Sequence, residues 1–233
     1  MSPAAPRWLT ALSTALEKEA KVPKHLGGVF QLATIDPGPP PTARVRSCIH
    51  RELLTSAKSP ALPLLLTTTD IRTPKVAQLG ANDRAEGVFW TESTQEQFRV
   101  TGRAALVPSP TEERGPKVEA TVMGADYDWE AKRRAVFDSL SGHMRASWCR
   151  PTPGTPLASY DDAKEWPETV PRLSEAESES DKRNVQTALG NFALVIIEPT
   201  EVDYVELGSV PQRRTRFVWK GEGEGWAEQI VVP

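Results

Sequence analysis

The first apolar positions of the chain, Trp8, Leu9, Leu12 and Leu16, recur at helical spacing, which predicts a helix over "PRWLTALSTALEKEA". The period then changes. "GGVFQLATI" and "ARVRSCIHREL" read as strands on either side of "DPGPPPT", a proline-rich turn, and so as a hairpin. "ALPLLLTTT" is a continuous apolar strand. Thr73 is placed to N-cap a short helix, "PKVAQLGAN", with Pro74 at its first position, where a missing N–H costs nothing. "AEGVFWT" and "EQFRVTGRAALV" are two further strands around the turn "ESTQ". "DWEAKRRAVFDSLSGHMRASW" predicts one long helix with Trp129, Val136, Phe137, Leu140 and Met144 on one side.

From Cys149 the pattern lapses. "CRPTPGTPL" and "EWPETVPRLSEAESESDK" are proline-rich, then acidic. They form an excursion over about 150–184, read as a solvated surface loop in preference to a lid over a site. "NFALVIIEP", "EVDYVELG", "RTRFVWK" and "GWAEQIVVP" follow as four strands. About eight strands in contiguous blocks with short turns, and three helices, predict an α+β fold: an antiparallel barrel with peripheral helices. It is read as one domain over 1–233, interrupted by the excursion.

Composition narrows the function. The chain has 233 residues, 39% hydrophobic and 25% charged, with a net charge of −3. A slightly acidic chain has no global field for nucleic acid, which is excluded as a partner. No apolar run approaches a membrane span, and the N-terminus lacks a continuous apolar signal segment, so a cytoplasmic protein without a membrane partner is expected. The two cysteines, Cys48 and Cys149, lack CxxC spacing, and Cys48 reads as a small core residue. His25, His50 and His143 are scattered without metal-ligand spacing, so no metal is expected.

The chemistry gathers on a few strands. In "ARVRSCIHR", Val45, Ser47 and Ile49 share one face, and Arg44, Arg46 and His50 the other. Arg51, five positions from Arg46, points the opposite way in an ideal strand. The two converge only if a bulge intervenes or Arg51 lies past the strand end. In "EQFRVTGRAALV", Phe98, Val100 and Ala104 oppose Gln97, Arg99, Thr101 and Arg103. Arg46, Arg51, Thr69, Thr73, Lys75, Gln97 and Arg99 form a polar, cationic set on strands expected to be adjacent, and a helix starts at Thr73–Lys75. Such a set suits a phosphate monoester. With no GxGxxG or Walker sequence, it is neither a Rossmann nor a P-loop site.

Four motifs in order carry a resemblance: "GVFQLATID…PPPTARVRSCIHREL", "LLLTTTDIRTPKVAQL", "GVFWTESTQEQFRVTGRAALV" and "RRTRFVWK…GWAEQIVVP". Together, over roughly 5–150 and 188–233, they resemble the pyridoxamine 5′-phosphate oxidase-like FMN-binding split-barrel family. The resemblance implies an antiparallel split β-barrel and a homodimer with FMN at the subunit interface. It implies that Arg46 and Arg51 bind the FMN phosphate, with Ser47, Cys48 and Ile49 between them along the cofactor. Thr68 and Thr69 match polar residues beside the flavin, and Thr73 and Lys75 a second phosphate-binding step. Gln97 matches a glutamine reaching the flavin from the partner subunit, and Arg216 an arginine near the ring. The Arg-x-His pair that holds the substrate in the vitamin B6 oxidases is absent; Gln212 and Arg214 stand there, and a family tryptophan is replaced near Leu207. The implied activity is an FMN-dependent oxidoreductase on a small organic substrate other than vitamin B6. The alternatives are a non-catalytic FMN-binding protein, such as a flavin store or redox sensor, and a barrel without flavin serving as an interaction module. His50 is a proton-relay candidate set against an ordinary exposed or core histidine. Arg99 or Arg216 near the ring would favour an anionic reduced flavin.

Overall fold

The computed structural model describes residues 5–23, 28–56, 59–119, 122–124 and 126–233. His25 lies outside them. Helix α1 (Arg7–Glu19) is followed by strands β1 (Val29–Asp36), β2 (Thr42–Ile49), β3 (Glu52–Thr55) and β4 (Pro63–Asp70). Helix α2 (Pro74–Ala81), β5 (Arg84–Thr91) and β6 (Glu96–Val107) come next. Then follow α3 (Trp129–Ser139), α4 (Gly142–Ser147), α5 (Glu179–Asn191), β7 (Phe192–Glu206), β8 (Arg213–Trp219) and β9 (Trp226–Val231).

The strands pair antiparallel in the order β2-β1-β5-β6-β7-β4-β3, with β8 on β7 and β9 on β8. Strand β7 explains the split. Its first half, Phe192–Ile197, pairs with β4, and its second half, Glu201–Glu206, pairs with β8. On its other side β6 runs the whole length. The sheet does not close on itself, and the fold is an antiparallel split barrel with helices around it.

The continuous apolar runs of β4 and β7 follow from two cores. Leu65, Ala193, Val195 and Ile197 face the barrel interior, with Phe30, Leu32, Phe89, Phe98 and Val100. Leu64, Leu66, Phe192, Leu194 and Ile196 face the other way, onto Phe137, Trp148, Val185 and Ala188 of the helical layer. A strand buried on both faces has no polar alternation to show. Strand β6, covered on one face only, alternates as expected: Phe98, Val100 and Ala104 are buried, and Gln97, Arg99 and Thr101 are not.

The structure corrects four readings of the pattern. "ARVRSCIHREL" is two strands. The N–H of His50 donates to Gly28 O (2.7 Å), but that of Arg51 donates to Leu66 O (2.8 Å), so the chain passes from β1 to β4 within one residue. "NFALVIIEP" and "EVDYVELG" are one strand, because Pro199 falls where the β6–β7 register shifts and no ladder N–H is needed. Gly102 makes that shift possible; a Cβ there would sit 2.2 Å from Glu198 O. The expected long helix breaks into α3 and α4: Leu140 is extended, and Ser141 caps α4 by accepting from the Met144 N–H (3.2 Å). The acidic end of the excursion folds as α5, started by a capping box between Ser178 and Asp181. The described residues thus hold five α-helices where three are expected.

Candidate functional site

Strand β4 brings Thr68, Thr69 and Asp70 to the point where β2 ends and α2 begins. Thr69 and Asp70 pair with Ala193 and Phe192 at the start of β7, so the sheet stops there and the chain turns into α2. Asp70 organises the turn. Its carboxylate accepts the Arg72 N–H (2.8 Å) and both ends of the Arg72 fork (3.0 and 2.7 Å). The acid is thereby neutralised and its oxygens are used. Thr73 occupies the N-cap position, yet its hydroxyl makes no cap. It donates to Asp70 O (2.7 Å) and lies 3.2 Å from the Thr69 hydroxyl.

Beside this turn lies a cavity of about 550 Å³. That is within the range of small-molecule sites. Ser47, Cys48, Ile49, Arg51, Thr68, Thr69 and Lys75 line one side. Arg51 falls past the end of β2, as the second of the two geometric conditions required. Arg46 does not line the cavity. Its face of β2 turns inward, toward Leu32 and Thr34 of β1, leaving Val45 64% exposed on the outer face. The Arg46 guanidinium donates to Leu32 O (3.0 Å), the Thr34 hydroxyl (2.7 Å) and Gln78 Oε1 of α2 (2.9 Å). Thr73 is one turn removed and spent on Asp70.

Gln97 and Arg216 lie elsewhere on the chain. Both are on the outer face of β6–β7–β8, where Gln97 is opposite Val205 and Arg216 opposite Asp203. Asp203, buried at 4% exposure, is held between Arg99 and Arg214, whose fork meets it at 2.9 and 2.7 Å. The Arg214 hydrogen bonds keep this carboxyl below its usual range. Arg216 pairs with Glu201 (3.3 Å). Strands β2 and β6 are not neighbours, so the expected cationic set divides into two groups within the chain.

The electrostatics of the cavity favour an anion. Burial pushes Arg51 and Lys75 below their usual pKa values, and Arg46 behind them as well. Arg51 Nε is buried without a hydrogen-bond partner, and among the described residues neither Arg51 nor Lys75 has a carboxylate within ion-pair distance. Burial raises the Cys48 thiol, against the opposing pull of Lys75 and Arg46. Two desolvated cations beside the Thr68 hydroxyl form a donor set that fits a phosphate monoester, while the Thr69 hydroxyl at the same edge donates to Asp70 O (3.1 Å).

The opposite side of the cavity was not marked by any motif. It consists of Met144 and Ser147 from α4, Trp148 at the C-cap of that helix, the segment Arg150–Leu157, and Trp166. The available signal was compositional: tryptophans and prolines concentrated in a stretch otherwise polar. The excursion is exposed, as expected of a solvated loop, but its first part walls the cavity.

His50 is neither exposed nor set beside a proton donor. It packs edge-on to Phe89 (5.7 Å), and burial lowers its pKa to about 4. The folded state therefore takes up this proton less readily than the unfolded state, whose His titrates near 6.5. Its contribution to stability is present above pH 6.5 and is lost as pH falls toward 4. Unfolding free energy should drop between pH 7 and pH 4.5 by about 2 kcal/mol more in the wild type than in His50→Gln. Equal drops in urea titrations would show that His50 is not kept neutral by the fold.

Among the described residues, no group of three His, Cys, Asp or Glu side chains is placed to hold a metal ion, and no helix is long and apolar enough to cross a membrane.

Residues 5–108 match the family described as pyridoxamine 5′-phosphate oxidase, FMN-binding domain. Among solved structures, the chain is similar to a pyridoxamine 5′-phosphate oxidase-related, FMN binding protein from Nostoc punctiforme PCC 73102. That match has 24% identity and a TM-score of 0.74, covering 99% of this chain and 100% of the other. It is also similar to PhzG from Burkholderia lata 383, solved with tetrahydrophenazine-1-carboxylic acid, at 15% identity and a TM-score of 0.61, covering 99% and 94%. At these identities the likeness concerns the fold. No curated protein matches the sequence.

Proposed function

From the premise that residues 5–108 carry the FMN-binding domain of the pyridoxamine 5′-phosphate oxidase family, we propose that the chain is an FMN-dependent oxidoreductase acting on a small organic substrate. The observation that carries the reading is the pair of desolvated, unpaired cations, Arg51 and Lys75, at a cavity edge with two threonines. These four residues would hold the FMN phosphate and the adjoining part of the cofactor, with Ser47, Cys48 and Ile49 alongside. Arg46 acts from behind: it fixes β2 against α2 through Gln78 and adds positive potential at Lys75. When bound, FMN supplies the hydride or electron transfer; the protein binds it, orients it and limits water access.

The reading includes a homodimer. Gln97 and Arg216 face away from the cavity of their own protomer, and a two-fold partner is the means by which they would reach a flavin. It also includes a reducing, cytosolic setting, in keeping with two free cysteines. The absence of an Arg-x-His pair before Arg216 sets vitamin B6 phosphates aside as substrates. Arg214, in the second of those positions, is committed to Asp203.

The test is direct. The purified protein should be yellow, release FMN on denaturation at one per subunit, and scatter light as a dimer. A protein that neither carries nor takes up FMN would overturn the reading. Bound flavin that is never reduced by an organic donor would leave a non-catalytic FMN-binding protein in its place.

A further inference from the structure

The cavity has two sides of unlike chemistry. The cationic, hydroxyl-bearing side belongs to residues 47–75, inside the stretch matched to the FMN-binding domain. The other side, from Met144 to Trp166, lies wholly outside that stretch. Alongside the hydroxyls of Ser147, Thr152 and Thr155, it carries the apolar surfaces of Trp148, Pro151, Pro153, Pro156, Leu157 and Trp166. Within it stands one charged group. The Arg150 guanidinium lies over the Trp166 ring, 5.8 Å from its centroid. Among the described residues it has no carboxylate within ion-pair distance, whereas Arg72, near the same cavity, is neutralised by Asp70.

This wall is braced at both ends. Trp148, two residues before Arg150, is 4% exposed and donates its indole N–H to Thr69 O (3.2 Å). Beyond Trp166, the ring nitrogen of His143 is 2.8 Å from Glu168 O, and Val170, fully buried, donates its N–H to Gly142 O (3.1 Å). The buried Arg145 side chain donates to the carbonyls of Val170 (2.9 Å) and Asp138 (3.2 Å), and to that of Leu140. Prolines between the braces restrict the backbone further. A wall ordered beforehand costs little to order on binding.

We propose that Arg150 and Trp166, with the proline-bearing segment between them, select the substrate of the flavin site, and that it is a flat, apolar molecule carrying one carboxylate. The flat body lies against tryptophan and proline surfaces. The carboxylate takes the planar fork of an arginine that no carboxylate among the described residues occupies. A phosphate ester finds its donors on the opposite side, at Lys75 and Arg51. The inference deepens the oxidoreductase reading and rests on it for the identity of the site.

Two probes of equal shape separate the terms: 2-naphthoate, and the neutral 2-naphthylmethanol. Binding is measured by calorimetry on the protein with and without FMN, and by the change in the visible flavin spectrum. Naphthoate should bind the wild type about tenfold more tightly than the alcohol, and Arg150→Gln should abolish that preference. Trp166→Leu should weaken both probes about fivefold or more and keep the preference. FMN affinity, followed by flavin fluorescence quenching, should be unchanged in both variants. Equal binding of the two probes by the wild type, or a preference that survives Arg150→Gln, overturns the proposal. Failure to bind FMN would overturn the oxidoreductase reading alone, since the calorimetric preference on flavin-free protein still decides the wall.

Discussion

Replacing Lys75 and Arg51 together by alanine should weaken FMN binding by about a hundredfold to ten-thousandfold and leave riboflavin binding almost unchanged. Each removed cation should forfeit a charge-assisted contact to phosphate of about 1.5–3 kcal/mol. Every 1.4 kcal/mol is about a factor of ten. Riboflavin lacks the phosphate, so the ratio of the two affinities isolates this contact from general damage to the cavity. The wild-type ratio should collapse toward unity in the double variant. A ratio that stays high would mean that the phosphate lies elsewhere. The sign of the pH dependence follows from the same residues. Burial lowers Lys75, so its charge begins to be lost at lower pH than for an exposed lysine, and FMN affinity should decline as pH rises through that value. Arg46→Ala should register differently. Its guanidinium donates to Leu32 O and to the buried Thr34 and Gln78, which also bond each other (2.7 Å), and losing these charge-assisted contacts should cost about 1–3 kcal/mol of stability.

The largest effect on folding is expected at Trp148. The side chain packs edge-on to Phe192 (4.9 Å) and beside Phe137 (6.4 Å) in the outer core. Its indole N–H holds the last turn of β4 at Thr69 O, and its own carbonyl accepts from Asn191 Nδ2 (2.8 Å) at the end of α5. One residue therefore joins α4, α5 and β4. Trp148→Ala should cost about 3–5 kcal/mol, from lost burial and the cavity left behind. Trp148→Phe keeps most of the ring contact and should cost about 0.5–1.5 kcal/mol, chiefly from the lost indole hydrogen bond to Thr69 O. Urea unfolding of the two variants separates packing from hydrogen bonding. Similar costs in both would show that the aromatic packing contributes little.

Where the structure departs from the pattern, the cause is non-local. "LPLLL" and "FALVII" were legible as strands because two-sided burial leaves an apolar run with no alternative use. The break between β2 and β3 was not legible, since nothing in "CIHREL" says that the N–H of Arg51 answers to β4. Nor could "ARVRS" announce that the arginine face turns inward; that depends on Gln78, thirty-two positions from Arg46, lying beneath the strand. The cap at Ser141 and the capping box at Ser178 are local signals, readable from "SGHM" and "SESD", but the apolar spacing that runs on past Leu140 and the acidic composition around Ser178 mask them. The cationic side of the cavity was legible as chemistry, since seven of its residues stand within one turn of two motifs. Its apolar wall was not, because proline and tryptophan in an irregular segment have no period to betray which way they face.

The crossing between β2 and β3 gives the molecule an internal gauge. Two consecutive amides, His50 and Arg51, are hydrogen-bonded to opposite parts of the sheet, one to Gly28 O before β1 and one to Leu66 O of β4. Their hydrogen-exchange rates thus monitor two openings separately: peeling of the β1–β2 edge, and release of β4 from the crossover. A ligand that spans Ile49 and Thr69 would slow both together, turning two independent clocks into one.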